Sequence, residues 1–385
     1  MTERYDFAVV GAGCFGAWCA WHLTRRRRRV LLLDAYGPGN NRSSSGGETR
    51  IVRLGYGADE VYTRSSIRSL ELWQAIFRET EPSLFRGTGV LWLAPPDHGP
   101  TLDTVSTLAR LGVALEVLEH ADLRRRYPQV GLEDGTWGLL EPESGVLMAR
   151  RAVQTVVDDA VRRGCVLRRG AVRPVADSGT PRLEGLSTEE GDPVVADRFV
   201  LACGPWLPKV LPHVLGQRIF PSRQEVFFFG TPSGDRRFGP EALPAWIDFG
   251  LNEAYGIPDL DGRGFKIAPD RHGPPFDPDH GDRLVSAESV TRVREFLRQR
   301  FPDLADAPLI ETRVCQYENS SSGDFLIDRH PSLDNVWIVG GGSGHGFKHG
   351  PSVGEYLADR ALEGGAVEPR FTLSLKGTEQ KRTVF

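Results

Sequence analysis

The sequence predicts an α/β fold in which a parallel-sheet layer is interleaved with a second layer rich in mixed β-sheet. Three observations predict it. Residues 5–34 read as strand, glycine turn, helix and strand. Residues 335–362 repeat the strand, glycine turn and helix near the other end of the chain. Between about 210 and about 320, short apolar stretches with turn signals read as a run of strands. The chain thus leaves one α/β layer and returns to it, without a clean linker. Its 385 residues are enough for two domains.

The first strand, residues 5–10, is apolar and meets the turn Gly11-Ala12-Gly13-Cys14-Phe15-Gly16. In this G-x-G-x-x-G pattern Gly11 permits the tight turn, and Gly13 lets a pyrophosphate approach the backbone. Gly16 lets helix and strand pack closely, while Cys14 and Phe15 hold the variable positions. A helix follows at 17–23. The second apolar strand, 30–33, ends at Asp34, whose carboxylate suits a ribose hydroxyl pair and disfavours a 2′-phosphate. Strand, helix and acid together make this layer Rossmann-like and predict a dinucleotide site. The arginine run at 25–29 reads as a solvated helix end.

A Ser/Gly-rich loop at 40–47 contains Ser44, and the stretch 48–53 carries Arg50 and Arg53. Helical periodicity returns at 62–77. Residues 85–95 and 139–147 read as extended, 152–163 as helix, and 166–167 as strand. Val172 lies in the segment 170–175. A short buried strand at 198–202 leads into Cys203-Gly204-Pro205-Trp206. Strands are then expected at 225–230, 245–249, 254–257 and 264–268. A Pro/Gly-rich surface loop at 269–281 and a helix at 290–300 come next. The run Gly340-Gly341-Gly342-Ser343-Gly344-His345-Gly346-Phe347-Lys348 closes the pattern. Such a turn before a helix offers free N–H groups to a ligand, so one cofactor is expected to be gripped from both ends of the chain. The expected division is 1–85, 145–210 and 320–375 for the dinucleotide domain, and 86–144 with 211–319 for a substrate domain.

A net charge of −4 gives no drive toward nucleic acid or anionic membrane. No apolar run approaches a membrane span. The five cysteines, Cys14, Cys19, Cys165, Cys203 and Cys315, are odd in number and scattered. That argues against a disulfide framework or zinc site and suggests a reducing cytoplasm. No metal site is expected. Cys14 and Cys19 read as packing residues as well.

Read together, these segments resemble the D-amino-acid oxidase/glycine oxidase superfamily, and within it the branch of monomeric sarcosine oxidase and N-methyltryptophan oxidase. The resemblance rests on V-V-G-A-G-C-F-G (9–16), L-L-D-A (32–35), G-E-T-R-I-V-R (47–53) and L-A-C-G-P-W (201–206). It continues through G-F-K (264–266), R-V-C-Q-Y (313–317), D-F-L-I-D-R-H-P (324–331) and G-S-G-H-G-F-K (342–348). It implies FAD, extended between the two glycine turns and joined covalently through Cys315 to the 8α carbon of the flavin. Gly11, Gly13, Cys14, Phe15, Gly16, Asp34, Ser44, Arg50, Val172, Cys203, Gly204 and Trp206 would line the cofactor, with Gly342, Gly344, His345, Gly346 and Lys348. Arg53 and Lys348 would hold a substrate carboxylate. Lys266 would activate oxygen, Arg50 and His345 would lie near the flavin, and Tyr317 and Tyr255 would surround the substrate.

Two departures stand out. Asp270 takes the place of a family histidine, with His272 displaced by two positions. Glu318-Asn319 puts new polar groups after Tyr317. The resemblance implies a monomeric oxidase of a secondary amino acid, N-methyl or cyclic, giving an imine and passing electrons to dioxygen to form hydrogen peroxide. A dehydrogenase with another acceptor, a biosynthetic desaturase of a cyclic imino acid, and a non-catalytic flavoprotein are the alternatives.

Overall fold

The computed structural model describes residues 3–176, 179–251 and 253–381. Strand β1 (Arg4–Val10), helix α1 (Cys14–Arg25) and strand β2 (Val30–Asp34) form the first β-α-β unit. β1 lies parallel to β2 on one side and to Pro193–Leu201 on the other. The sheet extends through Val336–Gly340 to the antiparallel Leu326–Arg329, and through β2 to Val166–Arg169. Its central strands, β2 and Val336–Gly340 among them, are nearly continuous apolar runs because both faces are covered. Helix α1 shows why: residues 14 to 24 are all buried. It packs between the helices Gly350–Glu363 and Ala149–Arg162. Trp18 is fully buried there, edge-on to Trp21 and Trp73.

The second layer is an eight-stranded sheet in the order Leu309–Ser320, Ile219–Phe229, Phe265–Pro269, Ala254–Ile257, Ala245–Asp248, Val90–Ala94, Trp137–Glu141, Glu116–Leu118. Helix Ala287–Arg300 covers one face, setting Phe296 and Leu297 against Trp246 and Phe265. Its last residue, Arg300, is buried and ion-paired to the buried Asp248 at 2.5 Å. A small sheet joins the layers. In it β3 (Thr49–Val52) and Phe85–Arg86 flank Gly145–Met148.

Several sequence readings change in the structure. The extended stretch at 139–147 is two strands in two different sheets, separated at Pro142, which has no N–H to continue a ladder. The helices Gly99–Arg110 and His120–Arg126 were not foreseen. Only Thr101, Thr104, Thr107 and Leu108 of the first are buried, so its buried stripe is mainly threonine and carries a weak apolar signal. The loop after Phe265–Pro269 is not purely superficial: Phe276 is buried within it. Among the described residues no helix is long and apolar enough to cross a membrane.

Candidate active site

Where β1 meets α1, Gly11 adopts φ +102°, and a Cβ there would lie 2.3 Å from the carbonyl oxygen of Ala202. Only glycine permits that crossing of the two strand ends. The turn opens an elongated cleft of about 320 Å³ between the two layers. Gly11, Gly13, Cys14 and Phe15 form its floor, with Asp34, Val172, Cys203, Gly204 and Trp206 around them. Ser44, Arg50, Gly342, Gly344 and Gly346 also line it. Gly16 serves packing instead, since a Cβ there would fall 1.8 Å from the Gly11 carbonyl oxygen.

Asp34 is held by its own loop. Its Oδ2 accepts from the N–H of Ala12 at 2.7 Å, and its Oδ1 from those of Tyr36 and Gly37 at 2.8 Å. Burial outweighs these bonds and raises its proton affinity above the ordinary carboxylate value. Oδ1 is thereby filled, while Oδ2, with a single donor, keeps a lone pair for a further donor in the cleft.

Two cleft-lining side-chain oxygens have no hydrogen-bond partner among the described residues, Ser44 Oγ and Glu318 Oε2. Glu318 is 8% exposed. Its other oxygen accepts from the Gly342 N–H at 3.3 Å. Burial pushes this carboxyl up to about 8.

Cys315 stands on Leu309–Ser320 beside Arg50, whose Nη2 lies 3.7 Å from the thiol sulfur. Arg50 is fixed by donating to the carbonyls of Thr49 and Ser44 at 2.8 and 2.6 Å. Lys266 is 3% exposed and donates to the Thr49 carbonyl at 2.9 Å. Burial, reinforced by Arg50, holds the Lys266 amine well below its ordinary proton affinity. Arg50, Lys266, Arg313 and Cys315 line one small cavity of about 20 Å³.

Tyr317, two residues beyond Cys315, also reaches the elongated cleft. Its ring rests on Gly344, where φ is +84° and a Cβ would lie 2.6 Å away. Tyr255 sits near it, with Lys266 Nζ 5.8 Å from its ring centre. Burial raises both phenols, Tyr255 to about 12, and Asp270 adds to the effect on each. The displaced His272 packs its ring edge-on to Tyr317 at 5.9 Å.

Arg53 and Lys348 converge on Tyr56. The Arg53 guanidinium lies 4.2 Å from that ring centre and the Lys348 ammonium 4.9 Å. Arg53 also donates to the Gly55 carbonyl and faces Trp92 at 5.1 Å. Among the described residues it has no ion pair with an acidic side chain. His345 does not line the cleft. Its ring is stacked on Phe325 at 4.9 Å, and its nitrogens meet the Tyr56 hydroxyl at 3.1 Å and the Gly323 carbonyl at 3.0 Å. Phe325 and Tyr62 provide an aromatic slot for this ring behind the glycine turn. His349 joins the same cluster through the Tyr56 hydroxyl at 2.7 Å. Burial, with Lys348 nearby, holds His349 well below the usual imidazole range. Sequence reasoning missed Tyr56 and His349. The available signal was local: Tyr56 follows Arg53 by three residues, and His349 follows Lys348 by one.

The model of the DAO family, described as FAD dependent oxidoreductase, matches residues 6–360. Monomeric sarcosine oxidase of Bacillus sp. (strain B-0618) is 31% identical over 94% of this chain and 94% of its own. N-methyl-L-tryptophan oxidase of Salmonella heidelberg (strain SL476) is 29% identical over 93% and 95%. The open form of NikD, an amino acid oxidase of nikkomycin biosynthesis, superposes with a TM-score of 0.78 at 25% identity, covering 96% of this chain and 98% of its own.

Proposed function

The chain belongs to the DAO family of FAD-dependent oxidoreductases, and from that premise we propose that it oxidises the C–N bond of a secondary amino acid, N-methyl or cyclic, to an imine. Dioxygen would be the electron acceptor and hydrogen peroxide the second product. The observation that carries this reading is the pair of cations, Arg53 and Lys348, gathered over Tyr56. Two cations at one ring, one of them a forked guanidinium, suit a carboxylate better than a neutral amine.

The residues present fit FAD. The glycine floor at 11–13, the start of α1 and the carboxylate of Asp34 suit the adenosine and pyrophosphate half. The partnerless oxygens of Ser44 and Glu318 call for a polar ligand farther along. Cys315, beside the Arg50 guanidinium, is assigned as the covalent attachment point. Bound FAD supplies the two-electron acceptor. Arg53 and Lys348 orient the substrate by its carboxylate, and Tyr255 and Tyr317 wall its amine side and exclude water. Lys266, whose proton affinity burial lowers, would assist the reduction of dioxygen by electrostatics. His345 and His349 position Tyr56.

We assign residues 1–85, 145–210 and 320–375 to the FAD domain, and 86–144 and 211–319 to the substrate domain. Its free cysteines suit a reducing cytoplasm, and we assign it as a monomer. The test is a panel of secondary, primary and decarboxylated amines with peroxide detection. Turnover confined to carboxylated secondary amines supports the proposal. Oxidation of amines regardless of a carboxylate overturns it.

A further inference from the structure

Among the described residues, Glu318 is an acidic side chain of the cleft with a buried, partnerless oxygen, and the proposed chemistry leaves it without a task. It lies three residues past Cys315, or about 10 Å along an extended strand. One oxygen is anchored on the Gly342 N–H, while Oε2 is buried and has no partner among the described residues. Gly204 and Gly340 bracket that oxygen: a Cβ at either would lie 3.6 or 3.4 Å from it. A buried carboxyl oxygen without a partner costs on the order of 1–3 kcal/mol, so its retention beside a cleft points to a partner that arrives with the ligand.

We propose that Glu318 is a hydrogen-bonding group for the polyhydroxyl chain that links the flavin ring to the pyrophosphate. The inference rests on the assignment of FAD to this cleft. The chemistry matches. With its carboxyl pushed up to about 8, Glu318 is a neutral acid at pH 7. It then offers one donor and further acceptors, the same complement that a hydroxyl presents. A pyrophosphate, acceptor-only and anionic, belongs instead with the N–H groups of the α1 turn. Cys203, on the adjoining turn, is itself pushed up by burial, so it stays a neutral thiol beside the acid.

The test uses the full chain carrying Cys315→Ser, stripped of flavin and titrated with FAD, with riboflavin and with ADP. With Glu318 in place, FAD binding is expected; its absence would defeat the assignment of FAD itself. Given that binding, Glu318→Met is expected to weaken FAD and riboflavin about tenfold and to leave ADP within twofold. Glu318→Gln, which keeps a donor and an acceptor, is expected within threefold of the parent. The flavin-free Glu318→Met chain is expected to melt higher than its parent, because it removes a buried acid without a full set of partners. A purely structural Glu318 would move stability and affinity down together. Equal FAD affinity in the parent and in Glu318→Met, or an equal loss for ADP, overturns the inference. Glu318→Met fills the same space without polar atoms, so it folds where a truncation to alanine would leave a cavity.

Discussion

At the scale of single residues, the site works by withholding solvent from charges and acids. Arg53 keeps its positive charge over two aromatic faces, so a carboxylate arriving there meets little competition from water. Arg53→Met should raise KM for carboxylated amines by roughly 30- to 1000-fold, equivalent to about 2–4 kcal/mol of charged hydrogen bonding. Steady-state kinetics with matched amines lacking the carboxylate check it: these should change less than threefold. Cys315→Ser should give a colourless pellet on acid precipitation and a polypeptide mass without added flavin, whereas the parent pellet stays yellow. Glu318 makes a pH prediction with a definite sign. Its folded value is raised from 4.5 to about 8, so between those values the native chain holds a proton that the unfolded chain has lost. Stability of the flavin-free protein therefore falls as pH rises from about 4.5 to about 8 and is flat, for this group, above that. Urea unfolding of Glu318→Gln should lack this slope. Near pH 8 it should exceed its parent by on the order of 4 kcal/mol.

At the scale of elements, the two strand-to-helix turns do most of the positioning. The first was legible because its chemistry is local: three glycines, an apolar strand before them and Asp34 at the end of the next. The second was legible as a turn, but the side-chain directions were not. His345 is within the glycine run, yet its ring leaves the cleft for Phe325 and Tyr62, contacts set by elements about twenty and about 280 residues away in sequence. Tyr56 escaped notice for the same reason, since its value lies in meeting Lys348 and His349 across the fold. The helix Gly99–Arg110 escaped because its buried face is largely threonine, which breaks the apolar period that sequence reading depends on. The strand ladder of the second sheet was read well in place but short in extent. Ile219–Phe229 begins six residues earlier than its apolar run, where Pro221 and Ser222 pair with Glu318 and Tyr317. The second turn offers a test of its own. Gly344 is left-handed and supports the Tyr317 ring, so Gly344→Ala meets both backbone strain and a side-chain clash. It should lower stability by about 1–3 kcal/mol and shift the flavin absorbance envelope by displacing Tyr317, both measurable on one purified sample.

At the scale of the whole molecule, the cleft is a seam between two sheets that share no strand, so what crosses the seam decides how firmly a cofactor is held. One crossing lies at the cleft mouth. Trp206 follows the parallel sheet and donates to Asp279 at 2.7 Å, on the loop leaving the mixed sheet. Lys209 binds the same loop through Asp277 and Asp279 at 2.6 and 2.5 Å. All three of Trp206, Lys209 and Asp279 line the cleft, so the clasp closes over whatever lies inside. These charges are partly exposed, with 42% of the Lys209 side chain and 30% of the Asp279 side chain accessible, so the ion pairs alone contribute little to stability. Their effect should appear instead in the rate at which an uncoupled cofactor leaves. Asp279→Asn in the Cys315→Ser chain removes the charge but keeps an acceptor for Trp206. It should speed FAD release several-fold at low salt while moving the melting temperature of the flavin-free protein by less than about 2 °C. Adding salt should bring the parent toward the variant, because screening weakens the same pair of charges. Release rates that match at low salt would mean that the two sheets are held together at the mouth by the buried apolar contacts around Phe276, and not by the charged clasp.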